Sequence, residues 1–284
     1  MNKVAFQPLI VSALKGYNAK QFQKDLLAGI IVAIIALPLS IAFAMGAGFT
    51  PEKGIWAAII ATLIGSLIGG SRVQISGPTG AFIVITQSVV LQYGKDGLVV
   101  AMLLAGVMLI LAGVFHLGKY IKFIPAPITT GFTAGIAVSI FTLEVKDFLG
   151  LNPESMPVKF IGKWKYYLTS LDETNYYAVI LGVIAMVVML VWPKINRTIP
   201  NSFVAIVVGT VLARVFQWDV ITLGEMAKSI GTPSVPSMDL QTVMDLVSPA
   251  FTIAVLIAMQ ALLSAVVTDG LINSRSNANH ELIA

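Results

Sequence analysis

The sequence predicts an all-α integral membrane protein. Of its 284 residues, 57% are hydrophobic and only 11% are charged, and the mean hydropathy is +0.87. An ordinary soluble domain carries about 25% charged residues. The chain therefore has too few charges to cover a surface that faces water, and its long apolar segments are typical of helices that cross a bilayer.

Eight segments of the chain are predicted to span the membrane, since a span needs roughly 20 mostly apolar residues. They are Leu26–Gly46, Gly54–Gly70, Pro78–Tyr93, Leu98–Phe115, Pro125–Leu143, Tyr176–Trp192, Ser202–Phe216 and Pro249–Ile272. The third of these is short and begins at a break in the apolar pattern. The residues before the first span lack a signal-peptide cleavage pattern, and we expect them to lie on the cytoplasmic surface.

The charges of the connecting segments predict the orientation, because cytoplasmic loops carry an excess of Lys and Arg. If the N-terminus is inside and each span crosses once, the inside segments hold ten basic and three acidic residues. The outside segments hold the other eleven carboxylates. The sequence therefore predicts a multi-pass protein of the plasma membrane whose N-terminus is cytoplasmic.

The break before the third span is the strongest functional signal. Its residues are Ser76, Gly77, Pro78, Thr79 and Gly80, and the preceding stretch alternates polar and apolar residues like a short extended piece. One interpretation is a plain turn in which Pro78 starts an ordinary helix. The other is a discontinuous half-helix whose N-terminal N–H groups and dipole bind an anion.

Polar residues inside two other spans also have alternative interpretations. Pro38 kinks the first span, and Ser40 could satisfy the freed carbonyl or leave polar backbone for a substrate. In the eighth span, Gln260 and Ser264 lie on one helix face. They are either partners in a hydrogen bond between helices or substrate ligands.

Other classes of function have no support in the sequence. The chain has no cysteine and two histidines, so no metal cluster is expected, and it has no enzyme motif of the kinds that mark hydrolases, metalloproteases or nucleotide-binding loops. The net charge of +4 is explained by basic cytoplasmic loops rather than by a function in binding nucleic acid. Two G-x-x-x-G spacings, at 65–69 and 131–135, predict close helix packing.

Four stretches together resemble the SulP (sulfate permease) family of anion transporters. They occur in the family's order along nearly the whole chain. They are Asp25–Ile30 with Leu37–Pro38, Gly70–Arg72 with Ser76–Thr79, Pro125–Ile128 with Gly131–Gly135, and Asn273–Arg275 with Asn279–Ala284.

The resemblance implies a fold of two inverted seven-segment repeats, of which this chain holds the first repeat and the eighth segment. It divides the chain into a cytoplasmic segment (1–25), the first transmembrane repeat (26–248), and the eighth segment with the start of the second repeat (249–284). Because the family continues for several more helices and usually a STAS domain, we expect a truncated, incomplete chain.

The resemblance also implies a site. In the family, substrate lies between the N-termini of half-helices three and ten, flanked by helices one and eight. The corresponding substrate-binding residues here are Leu39, Phe43, Thr79, Gly80, Gln260 and Ser264, and Ser76, Gly77 and Pro78 form the helix break and anion cradle. Gln260 stands where many bacterial members have an acidic residue implicated in cation or proton coupling, and a neutral Gln cannot carry that charge.

The leading hypothesis is a secondary transporter, not an enzyme, for inorganic or small organic oxyanions such as sulfate, bicarbonate or a dicarboxylate. A core of segments one to four and eight would move against a gate of segments five to seven. The alternatives are a nucleobase permease of the same architecture and a non-transporting membrane scaffold. The expected partners are the anion, the lipid bilayer and a second copy in a homodimer of the full-length parent, with no cofactor or nucleic acid.

Overall fold

A computed structural model describes most of the chain as helix. The described residues are 9–71, 73–77, 79–123, 126–153, 156–157, 159–223, 236–272 and 276–284. No β-strand occurs within these ranges.

Ten α-helices are found in the described ranges. They are α1 (Leu9–Ala13), α2 (Ala19–Gly46), α3 (Pro51–Ile68), α4 (Ile83–Val114), α5 (Ala126–Leu149), α6 (Phe160–Thr169), α7 (Tyr176–Ile195), α8 (Asn201–Val215), α9 (Leu240–Ile272) and α10 (Ala278–Ile283). Short 3₁₀ segments lie at Gly80–Phe82, Leu117–Phe123 and Leu171–Glu173.

Every predicted span overlaps a helix. Five helical stretches of the described chain are long and apolar enough to cross a membrane: Ala19–Gly46, Pro51–Ile68, Gly80–Val114, Tyr176–Ile195 and Leu240–Ile272. The third and fourth predicted spans form one helical stretch, which breaks at Gly94 (φ 73°, ψ −178°). Glycine adopts such a positive φ without the steric cost that a Cβ brings.

Local sequence signals account for several helix starts. The Asn18 side chain accepts a hydrogen bond of 3.0 Å from the Gln21 N–H and so caps α2. Pro51 opens α3 at a position where a missing N–H costs nothing. Asn175 caps α7 by accepting from the N–H groups of Tyr177 and Ala178.

The predicted extended piece before the third span has a local counterpart. Residues 73–77 are not helical, and Thr79 has extended backbone angles (φ −131°, ψ 141°). No ladder of hydrogen bonds makes the described part of this segment a strand. Arg72 and Pro78, which belong to the predicted piece and break, lie outside the described residues.

The chain divides into two compact units. The first comprises the described residues of Met1–Phe22, Ser40–Phe132 and Ser229–Ala284. It therefore contains the C-terminal end of α2 together with α3, α4, α9 and α10. The second comprises those of Gln23–Leu39 and Thr133–Lys228, and contains most of α5 and all of α6, α7 and α8.

The core of the first unit lies between α4 and α9. Ala101 and Ala105 of α4 are fully buried, as are Leu246, Ala250 and Ile253 of α9. Alanine at facing positions lets two helix backbones approach closely, which is how helices pack where lipid removes the hydrophobic driving force. This contact fixes α9 beside the helix that follows the break.

The second unit is held by an aromatic cluster and a buried hydrogen bond. The Tyr167 hydroxyl of α6 donates to the Thr142 carbonyl oxygen of α5 at 2.7 Å, and both residues are only 2% exposed. Burial raises the pKa of Tyr167 to about 12, and the Asp147 carboxylate and Tyr166 add to this, so the hydroxyl remains a donor at neutral pH. The Trp164 ring contacts the edge of Tyr167, with ring centroids 5.9 Å apart.

The α4–α9 contact predicts that Ala105→Leu destabilises the protein. A leucine at this fully buried position has no space against α9, and overpacking of this kind costs about 1–3 kcal/mol. Thermal unfolding in detergent is expected to show a lower Tm. The matched control is Val107→Leu on the same helix, where the side chain is 55% exposed and Tm should not change. An unchanged Tm in Ala105→Leu would show that the contact is not tight.

Candidate functional site

The site is built from the helix break, and a short turn forms its centre. Thr79 precedes the Gly80–Phe82 turn, and its Oγ1 accepts a hydrogen bond from the Ala81 N–H at 3.4 Å. Its carbonyl oxygen accepts from the Phe82 N–H at 3.3 Å. Both bonds are long, so the amides at the start of α4 are held only weakly and can exchange an internal acceptor for a ligand.

The turn brings partial positive charge and hydrogen-bond donors to the start of α4. Because α4 continues directly from the turn, its dipole places partial positive charge at Gly80. The Thr79 hydroxyl uses its oxygen to accept from Ala81, which leaves its O–H group to donate to a ligand. Gly80 is buried, whereas Gly77 is exposed and has open space where a Cβ would be.

The segment before the turn is fixed against α3. The Thr62 hydroxyl donates to the Ser76 carbonyl oxygen at 2.7 Å. One turn further along α3, the Ser76 side chain packs so closely on Gly65 that a Cβ there would collide with it. The predicted G-x-x-x-G motif at 65–69 therefore packs against the break. At Gly131 and Gly135 of the second motif, no atom of the described chain lies within 4 Å of where a Cβ would be.

The same segment also contacts α9. The Gln74 side chain donates through Nε2 to the Ala261 carbonyl oxygen at 3.4 Å, next to the predicted site residue Gln260. The Gln74 Oε1 atom is buried without a hydrogen-bond partner in the described structure. A buried oxygen of this kind needs a donor such as an ordered water molecule.

The end of α2 lies close to the first residue of α4. Around Gly46, a Cβ would lie 3.5 Å from the side chain of Ile83, the first residue of α4. Phe43, one helical turn earlier, is partly buried in the same unit. Leu39 is 49% exposed and belongs to the part of α2 that lies in the second unit.

Two polar side chains of α9, those of Thr268 and Asp269, form hydrogen bonds that stabilise the end of the helix. The Thr268 hydroxyl donates back to the Ser264 carbonyl oxygen at 2.6 Å, which satisfies it within the helix. The Asp269 carboxylate accepts from the N–H and the hydroxyl of Ser276, at 2.7 and 2.8 Å, and so ties the residues after α9 to its end. Gln260 and Ser264 are partly buried.

The described contacts therefore join Gln74 to Ala261, which follows Gln260, and Ile83 to Gly46, which lies three residues after Phe43. The sequence indicated the glycines and Thr79 but missed Thr62, Gly65 and Gln74 as the residues that hold the break. Of these, Gln74 could have been recognised from the sequence, because a Gln beside apolar spans needs a hydrogen-bond partner.

The fold is that of an all-α membrane protein in which non-helical residues lead into the long helix α4. The chain belongs to the sulfate permease family, whose family profile matches residues 22–284. This confirms the resemblance that the sequence motifs indicate.

Two curated relatives illustrate the family. The chain is 41% identical over 274 residues to a Bacillus subtilis (strain 168) protein described as "Putative sulfate transporter YvdB", which covers 95% of this chain and 52% of that protein. It is 30% identical over 278 residues to the bicarbonate transporter BicA of Picosynechococcus sp., covering 93% of this chain and 49% of that protein. The chain therefore spans about half the length of these relatives.

Solved structures agree with the fold. The transmembrane domain of a cyanobacterial bicarbonate transporter BicA superposes with a TM-score of 0.82 at 28% identity, covering 94% of this chain and 71% of that one. The murine anion transporter Slc26a9 in its inward-facing state gives 0.83 at 19% identity, covering 97% and 51%. At 19% identity, the similarity to Slc26a9 supports the fold and nothing further. Together they confirm the predicted all-α membrane fold.

The close contact between α3 and the break predicts a stability defect that a second change repairs. Gly65→Ala should lower the Tm in detergent, because the new methyl group collides with the Ser76 side chain. Adding Ser76→Gly removes the obstructing atoms and should restore most of the loss, and Gly77→Ala, which meets open space, is the control. Equal Tm values for the single and double variants would contradict the contact.

Proposed function

We propose that the protein is a secondary transporter of small oxyanions, of the sulfate, bicarbonate or dicarboxylate class, that binds its substrate at the Gly80–Phe82 turn. The observation that carries the proposal is this turn at the start of α4. Weakly held amides, a hydroxyl donor and the helix dipole converge there on one end of a membrane helix. The relatives named as sulfate and bicarbonate transporters support the choice of substrate class.

The site suits an oxyanion better than a cation. None of the predicted binding residues is acidic, so nothing among them repels negative charge. Backbone N–H groups and the Thr79 hydroxyl are donors that match the oxygen atoms of sulfate, bicarbonate or a carboxylate. With Gln260 neutral, we propose that transport does not take up a proton or a cation through this position.

The division into two compact units supports a core of segments two, three, four and eight that moves against a gate, whereas most of the first segment, residues 23–39, belongs to the same unit as the gate. The break, α3, α4 and α9 belong to one unit, and α6, α7 and α8 belong to the other. A substrate bound at the break would therefore move with the first unit. We further propose that the protein lies in the plasma membrane with a cytoplasmic N-terminus, as the loop charges predict.

The proposal predicts that Gly80→Leu abolishes anion uptake. A leucine side chain at this buried first position of the turn would occupy the space in which an anion approaches the amides, and each hydrogen bond to the anion that is lost costs about tenfold to a hundredfold in affinity. Uptake of labelled sulfate, bicarbonate and succinate would be measured in vesicles that contain the complete product of the gene.

The matched control is Gly106→Leu on the same helix, where a Cβ meets open space and uptake should be retained. Surface expression and monodispersity would be checked for both variants. Uptake at the wild-type rate in Gly80→Leu would refute the site. A wild-type protein whose uptake activity is limited to uracil would instead refute the substrate class.

A further inference from the structure

The segment that follows α9 holds the start of the break by two hydrogen bonds. The Gly70 N–H donates to Oε2 of Glu281 at 2.9 Å, and the Gly70 carbonyl oxygen accepts from the Asn277 N–H at 3.0 Å. Asn277 and Glu281 lie four residues apart, so both reach the same glycine from one face of α10. Both backbone polar groups of Gly70 are therefore satisfied by α10 and its N-cap residue.

The same short helix also contacts α4 and the residues after it. The Gly118 N–H donates to Oδ1 of Asn279 at 3.1 Å. A Cβ at Gly113 would lie 2.7 Å from the Asn279 carbonyl oxygen, and one at Gly118 would lie 2.8 Å from its Oδ1. At Gly70, a Cβ would lie 3.0 Å from the Cβ of His280. Three glycines thus form the surface on which α10 rests.

Gly70 is the residue from which the chain runs into the break. The described residues between α3 and the Gly80–Phe82 turn are not helical, and they are held at Gln74 by α9 and at Ser76 by α3. Gly70 is thus the first of three points at which neighbouring elements hold the segment. Its position depends on α10, which lies more than 200 residues further along the chain.

We propose that Glu281 is a positioning residue for the anion site, because its carboxylate fixes Gly70 and through it the break that carries Thr79 and Gly80. The inference rests on the proposed function. Glu281 does not touch the substrate in this account; it acts through the backbone of the segment between Gly70 and Thr79. Asn279 makes the same kind of hydrogen bond from the same helix, but to Gly118, which lies outside the break.

The surroundings of Glu281 fit a structural carboxylate. Burial raises the pKa of its carboxyl, the hydrogen bond from Gly70 lowers it, and the nearby Asp269 carboxylate raises it again. Asp269 is itself engaged by Ser276. A glutamine in place of Glu281 keeps a carbonyl oxygen that can accept from Gly70, so it separates the hydrogen bond from the charge.

The test compares Glu281→Ala, Glu281→Gln and Asn279→Ala in the complete gene product. Glu281→Ala is expected to raise the KM for anion uptake about three- to tenfold at similar surface expression, because a lost hydrogen bond to a charged group loosens the break. Glu281→Gln should restore the KM to within about twofold of wild type, and Asn279→Ala should leave it unchanged. A KM unaffected by Glu281→Ala, or raised equally by Asn279→Ala, would overturn the proposal.

A second readout does not depend on transport. Hydrogen exchange at the Gly70 amide should be about tenfold faster in Glu281→Ala than in Glu281→Gln, and exchange at Gly118 should be faster only in Asn279→Ala. Unchanged exchange at Gly70 in Glu281→Ala would overturn the positioning contact. If the exchange differs as expected but the wild-type protein carries no anion, the contact is supported and the proposed function is refuted.

Discussion

The arrangement of the site depends on how the non-helical segment before α4 is held. A break in a membrane helix exposes backbone N–H and C=O groups that lipid cannot satisfy, so such a segment persists only where protein or water supplies partners. Here Thr62 binds the Ser76 carbonyl, Gln74 binds the Ala261 carbonyl, and Glu281 binds the Gly70 amide. These contacts hold the residues that lead into α4 against α3, α9 and α10.

This dependence explains why small residues are concentrated near the break. Gly65 lets the Ser76 side chain lie directly on α3, and Gly70 lets α10 approach the chain where the break begins. On α4 and α9, Ala101, Ala105 and Ala250 bring the two helices together in the core of the same unit. Close packing of backbones therefore stabilises this unit, as the burial of apolar side chains stabilises the core of a soluble protein.

The sequence predicted the helices well because membrane spans have a strong local signal. Length and hydropathy alone located α2, α7 and α9, and the boundary between the third and fourth predicted spans coincides with the break at Gly94 inside α4. The break was visible for the same reason, since Gly77 and Gly80 interrupt an apolar run. The resemblance to the sulfate permease family then supplied Phe43, Gln260 and Ser264, which periodicity could not distinguish from packing residues.

The contacts that hold the break could not be predicted in the same way. Glu281 and Gly70 are separated by 211 residues, and no pattern of local composition pairs an acidic residue with a particular distant amide. Gln74 and Ala261 are 187 residues apart and meet through a backbone carbonyl, which is present at every residue. Gly65 was identified from its spacing, but its partner proved to be the Ser76 side chain rather than another helix.

We propose that an oxyanion binds at the Gly80–Phe82 turn, and the location of the bound anion can be observed directly. Structures of the complete gene product would be determined in sulfate, in bicarbonate and in a buffer poor in both anions. We expect anion density within hydrogen-bond distance of the Gly80 and Ala81 backbone nitrogens and the Thr79 hydroxyl in at least one of the two anions. Anion density at another place in both the sulfate and the bicarbonate structure, with no anion at these donors, would contradict the proposed site.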